Sequence, residues 1–166
     1  MSTFHFQPIK GQAREILGAI LKSPEVSSCD QEEVLTLRLA CEEIVMNVTS
    51  YAYPDGFEDF LDVDVQKTDR ITIRFEDGGV PFNPLERETP DTSLSWEQRG
   101  IGGLGIFLLR RMMDDVRYAY ENHRNILTIE MQVTLPSVTV VGEASKLYPL
   151  QARDASDRHC SPNGSD

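Results

Sequence analysis

Two hydrophobic periods follow one another along this chain, and neither alone describes it. Behind Asp30 the apolar positions Leu37, Ala40, Cys41, Ile44, Val45, Val48 and Ala52 recur at helical spacing, one stripe facing a core. From Phe60 to Glu76 the pattern changes to alternation, with Leu61, Val63 and Val65 in one run and Ile71, Ile73 and Phe75 in the next. The link Lys67-Thr68-Asp69 is short enough for a hairpin, which makes that pair antiparallel. A long amphipathic helix beside an antiparallel pair excludes an all-helical bundle and an all-strand sandwich alike.

The flanking segments extend this frame. Thr3 to Gln7 reads as a short strand, with Phe4 and Phe6 on one face. Ala13, Ile16, Leu17, Ile20 and Leu21 mark a helix from Gly11 to Lys22, which Ser23-Pro24 stops. Asp30, with Glu33 three residues on, is a capping-box start for the long helix, and Tyr53-Pro54-Asp55-Gly56 closes it. Residues 85–99 are polar and aperiodic, the pattern of a long mobile connection. After Gly105 a helix runs through Ile106, Leu108, Leu109, Met112 and Met113. Strands at Val116–Tyr120 and Asn125–Leu135 follow, joined by the turn Glu121 to Arg124. The expected class is α+β: a two-layer sandwich of a mostly antiparallel sheet covered by three helices. The expected domain spans residues 1–136. A C-terminal extension, 137–166, includes Val138–Val141 as a candidate strand and is otherwise expected to be partly disordered.

Composition bounds what such a domain does. At 166 residues, with 40% hydrophobic and 26% charged positions, the chain has the make-up of an ordinary globular domain. Its formal charge of −11 opposes non-specific contact with nucleic acid or an anionic membrane. Three cysteines (Cys29, Cys41, Cys160) without CxxC spacing speak against a disulfide framework and a thiolate zinc site. No apolar run approaches the ~20 residues of a membrane helix, and the start Met1 to His5 lacks the basic and apolar stretches of a signal peptide. The expected location is the reducing cytoplasm.

Three constellations carry chemical potential. Glu43 and Asn47 lie one helical turn apart, about 120° from the centre of the apolar stripe. A carboxylate and an amide so placed suit a proton acceptor and an oxygen ligand for a hard cation; a solvated polar face would look the same. Asp77-Gly78-Gly79 ends a strand, where an ionised Asp accepts a hydrogen bond from an exocyclic amine; a plain turn is the alternative. Gly100, Gly102, Gly103 and Gly105 put four glycines in six positions directly before a helix. That bares backbone N–H groups to an anion and adds the partial positive charge of a helix start. A hinge is the other reading. The segment is neither a Walker loop nor a dinucleotide fingerprint.

The order of these motifs resembles the histidine-kinase-like (GHKL, Bergerat-fold) ATPase superfamily over about residues 3–136. Within it, Asn47–Tyr53, Asp77–Pro84 and Gly103–Leu109 followed by Met113–Val116 are similar to the RsbW-like anti-sigma factor serine/threonine kinases. The resemblance implies ATP and Mg²⁺ as cofactors, with Asn47 ligating the cation and Glu43 as catalytic base or water-orienting carboxylate. It implies that Asp77 reads the adenine amino group with Gly79 making room beside it. Residues 86–102 would form a lid, and Gly100, Gly102, Gly103, Leu104 and Gly105 would hold the phosphates. Tyr51 stands where the family often carries His or another polar residue. The implied activity is phosphorylation of a Ser or Thr on a STAS-type anti-sigma factor antagonist, with a sigma factor as a further partner and a homodimer as the assembly. The alternative is an ATP-binding interaction module without kinase activity. A sensor histidine kinase is the weaker fit, because His5 falls in a strand and His123 in a turn.

Overall fold

The computed structural model describes residues 1–7, 9–55, 59–86 and 104–134. Five strands are β1 (Ser2–Phe6), β2 (Leu61–Lys67), β3 (Arg70–Asp77), β4 (Asp115–Glu121) and β5 (Arg124–Gln132). They form one sheet in the order β1-β2-β3-β5-β4, every neighbouring pair antiparallel. Helices α1 (Ala13–Leu21), α2 (Pro24–Ser27), α3 (Gln31–Asn47) and α4 (Leu104–Met112) complete the α+β fold. Contacts within Met1–Leu135 define one compact unit.

Strand parity decides what the sheet buries. Residues facing the helices include Leu61, Val63 and Val65 of β2, Ile71, Ile73 and Phe75 of β3, and Leu127, Ile129 and Met131 of β5, all buried. Register aligns them in rows, Val63 opposite Phe75 and Ile73 opposite Ile129. Helices supply Ile16 and Ile20 from α1, Leu37, Ala40, Cys41, Ile44 and Val45 from α3, and Ile106 and Leu109 from α4. Burial pushes the Cys41 thiol up to about 12, so it is an inert core group. The opposite parity carries charge. Arg74 bridges Asp64 and Glu76, and Arg124 bridges Asp62 and Glu76 across strands.

Local chemistry sets the element ends. Asp30 accepts from Glu33 N (2.8 Å) while Asp30 N donates to the Glu33 carboxylate (2.9 Å), the reciprocal cap expected for α3. Ser23-Pro24 stops α1 and also starts α2: Ser23 Oγ accepts from Val26 N, and Pro24, lacking an N–H, occupies a first-turn position where none is needed. The hairpin between β4 and β5 turns on Asn122 and His123, with φ of 52° and 61°. Two left-handed central residues match the twist of the flanking strands.

One departure bears on function. The helical stripe read through Ala52 does not continue as α-helix past Asn47; Val48–Ala52 widen into a π-helical turn. The Thr49 hydroxyl donates to the Val45 carbonyl (2.8 Å) alongside this widening. The Ala52 carbonyl accepts from Val80 N (2.8 Å), which ties the turn to the end of β3. Such turns concentrate at functional sites.

Candidate functional site

Alternation along β3 carries Asp77 to the same face as Ile71, Ile73 and Phe75, so the carboxylate points into the helix–sheet layer and is only 6% exposed. Asp77 Oδ1 accepts from Gly79 N (2.9 Å) and from Asn125 Nδ2 (2.8 Å). Among the described residues no hydrogen bond reaches Oδ2, which leaves that oxygen to accept from a ligand. Burial raises the Asp77 pKa above 3.8, against the two hydrogen bonds that lower it.

Asn125 is the buried polar residue of this site that sequence reading missed. It pairs with Asp77 in the β3–β5 register and is equally buried at 6%. Its Nδ2 also donates to the Val80 carbonyl (3.1 Å), while its Oδ1 accepts from Phe82 N (3.1 Å) and from the Tyr118 hydroxyl (2.7 Å). One amide thus fixes Asp77, the segment after β3 and strand β4 together. The signal was present: Asn125 shares parity with Leu127, Ile129 and Met131, so a polar side chain at that register faces inward.

A cavity of about 230 Å³ opens over this pair, and Asn47, Tyr51, Phe75 and Leu127 are among its walls. Its lining is mainly apolar, with Asp77, Asn125, Asn47 and the tyrosines Tyr51 and Tyr118 as the polar side chains, the make-up of small-molecule sites. It falls below the ~300–1,000 Å³ of drug-sized pockets. Tyr51, 70% exposed, stands at its rim.

Glu43 lies beyond the cavity lining but is joined to it through Asn47, whose Nδ2 donates to Glu43 Oε1 (3.0 Å). That bond leaves Asn47 Oδ1 as a hard oxygen for a cation. Among the described residues no three His, Cys, Asp or Glu side chains group as a metal site. A single amide oxygen fits Mg²⁺ arriving with phosphates, because that ion takes one or two protein ligands and completes its octahedron with phosphate and water.

The glycines divide. Gly79 does not line the cavity; its absent side chain makes room for Ala52, whose Cβ would stand 2.6 Å from a Cβ at position 79. Gly105, in the first turn of α4, faces the Glu43 carboxylate. Leu104 begins α4. Gly100, Gly102, Gly103 and all of the expected lid 86–102 except Glu86 lie outside the described residues.

An antiparallel sheet under helices, with a buried strand-end aspartate in a cavity and a Glu–Asn pair on the facing helix, defines a two-layer α+β domain with a cleft between its layers. The chain matches the family described as the histidine kinase-like ATPase domain over residues 7–131, and it belongs to that family. It is similar to the serine/threonine-protein kinase BtrW of Bordetella bronchiseptica, 26% identical over 95 residues that cover 57% of this chain and 67% of that one. It is also similar to the serine-protein kinase RsbW of Listeria monocytogenes (28% identical, 54% of this chain, 60% of that one) and of Bacillus cereus (27%, 58% and 62%). The match thus spans about three fifths of the RsbW relatives. In fold it resembles the RsbU and RsbW domains of Rv1364c from Mycobacterium tuberculosis, with TM-score 0.54 and 11% identity over 82% of this chain and 34% of that one. Among the described residues no helix is long and apolar enough to cross a membrane.

Proposed function

We propose that this chain is an ATP-dependent serine/threonine protein kinase of the RsbW-like group, acting as an anti-sigma factor that phosphorylates a STAS-type antagonist. The observation that carries the reading is the meeting of Asp77 and Asn47 on one cavity, with Asn47 hydrogen-bonded to Glu43 at its edge. In this reading the adenine enters the cavity and its amino group donates to Asp77 Oδ2. Asn47 Oδ1 holds Mg²⁺ beside the phosphates, and the glycines from Gly100 to Gly105 with the start of α4 supply N–H groups to them. Bound there, Mg²⁺ would supply charge compensation for the transferring phosphoryl group.

Glu43 then accepts the proton of a partner Ser or Thr hydroxyl. That oxygen forms a bond to the terminal phosphorus as the bond to the leaving ADP oxygen breaks. Phosphoryl transfer asks for positioning and charge compensation more than for covalent chemistry, and a small domain with these groups supplies both. A sigma factor as second partner, a homodimer and a cytoplasmic location complete the proposal.

The test is incubation of the protein with Mg-ATP and candidate STAS partners, read by intact mass. One phosphate gained on the partner, and lost with Glu43→Ala, supports the kinase. Nucleotide binding without transfer supports an ATP-dependent interaction module instead.

A further inference from the structure

Gly105 has no conformational reason to be glycine. Among the described glycines only Gly11 holds a left-handed φ, of 77°; Gly105 sits in the ordinary helical backbone of α4. Glycine is a poorer helix former than alanine, so something other than backbone freedom keeps it in the first turn. Its surroundings supply the reason. A Cβ at position 105 would fall onto Cδ and both carboxylate oxygens of Glu43. The three nearest atoms there all belong to that one side chain, whereas at Gly79 the obstruction includes the backbone of Ala52.

The same carboxylate is held from its other side by Asn47 Nδ2 at 3.0 Å. Glu43 is half-buried in consequence, while its neighbour Glu42 on the same helix is exposed. A long acidic side chain ordinarily extends into solvent, because holding it in one rotamer forfeits conformational entropy. Here α4 approaches α3 closely enough to confine it, and the approach depends on a missing methyl group.

We infer that Gly105 is a positioning residue for Glu43: its bare Cα is the wall against which the carboxylate rests while bonded to Asn47. This goes beyond reading the glycine as part of a phosphate cradle. What Glu43 does once positioned rests on the proposed kinase reading; where it sits does not. Since the obstruction is the end of a flexible side chain, a methyl group at 105 displaces Glu43 and leaves α4 in place.

A double-mutant cycle on the full chain tests this without reference to activity. Gly105→Ala is made in the native sequence and in Glu43→Ala, and melting midpoints are compared. With Glu43 removed, the nearest obstruction to the added methyl group is gone and the better helix former is expected to raise the midpoint. In the native background that gain is expected to be lost or reversed. Equal shifts in both backgrounds overturn the inference.

The second arm concerns transfer to a STAS partner. Gly105→Ala is expected to lower turnover about 10²-fold, the lower end of what a positioned proton acceptor contributes, with ATP affinity within about threefold. Alanine keeps the backbone N–H, so a fall in affinity with turnover per bound nucleotide unchanged puts the methyl group against the nucleotide rather than against Glu43 and contradicts the positioning role. If the native chain transfers no phosphate, the kinase reading fails and the stability cycle alone decides the inference.

Discussion

Asp77 and Asn125 occupy opposite strands at one register position and bury two polar side chains where the neighbouring rows are apolar. Removing Asn125 takes a hydrogen bond from the Tyr118 hydroxyl, from the Val80 carbonyl and from Asp77 Oδ1, which keeps its bond from Gly79 N. Unsatisfied buried groups cost about 1–3 kcal/mol each, so Asn125→Ala is expected to destabilise the domain by ~2–3 kcal/mol in urea unfolding. Gly79→Ala acts by sterics. Its Cβ meets the backbone of Ala52, which cannot swing aside, and a loss of about 1–3 kcal/mol is expected from overpacking. Asp77 adds a pH signature. Its folded pKa is raised above 3.8 by burial, so its contribution to stability is full below 3.8 and declines as pH rises through the raised value. Nucleotide recognition has the opposite sign, since the ionised carboxylate is the acceptor for the base. Affinity is expected to fall as pH drops through that raised pKa. In Asp77→Asn affinity is expected to be at least tenfold weaker and to lack this pH step, both readable by calorimetric titration of ADP. An unchanged affinity would count against the pocket assignment.

At the scale of elements, α3 separates stability from function along its own length. Its capping box lies at Asp30 and its site residues at Glu43 and Asn47, 13 and 17 positions further on, or roughly 20–25 Å at 1.5 Å per residue. Asp30→Ala is therefore expected to cost about 1 kcal/mol in chemical denaturation while nucleotide affinity stays at its native value. The cap was legible because its chemistry is local, and so was the inward row Ile71, Ile73 and Phe75, which β3 extends by one more position to Asp77. Asn125 obeys the same parity rule, but it stands at the first turn of a strand behind a hairpin, where a polar residue reads as an end. The widened turn at Val48–Ala52 was not legible. Its apolar spacing continues that of α3, and what accompanies the widening is a tertiary bond from Val80 N to the Ala52 carbonyl. Nor was α2, because the Ser-Pro pair that ends one helix is equally the cap and first turn of the next. Gly79 and Gly105 were legible as glycines beside a site, yet the neighbours that require them, Ala52 and Glu43, are distant in sequence and meet only in the fold.

At the scale of the molecule, the two faces of the sheet do different work. The inner face builds the core and, at one end, the cavity. The outer face is a quilt of cross-strand ion pairs such as Arg70–Glu130 and Arg124–Glu76, individually worth about 0–1 kcal/mol but well matched to solvent. The cavity, the Glu43–Asn47 pair and the start of α4 all lie on the helical side of the sheet. Glu43→Ala is expected to abolish transfer and leave nucleotide affinity near its native value, because the carboxylate lies outside the cavity lining. The most direct measurement is a crystal structure with Mg²⁺ and a non-hydrolysable ATP analogue. The expected result has the adenine amino group against Asp77, the cation on Asn47, and the phosphates running toward Gly105 and the start of α4. A nucleotide bound elsewhere on the chain, or a cavity that stays empty at saturating ligand, would contradict it.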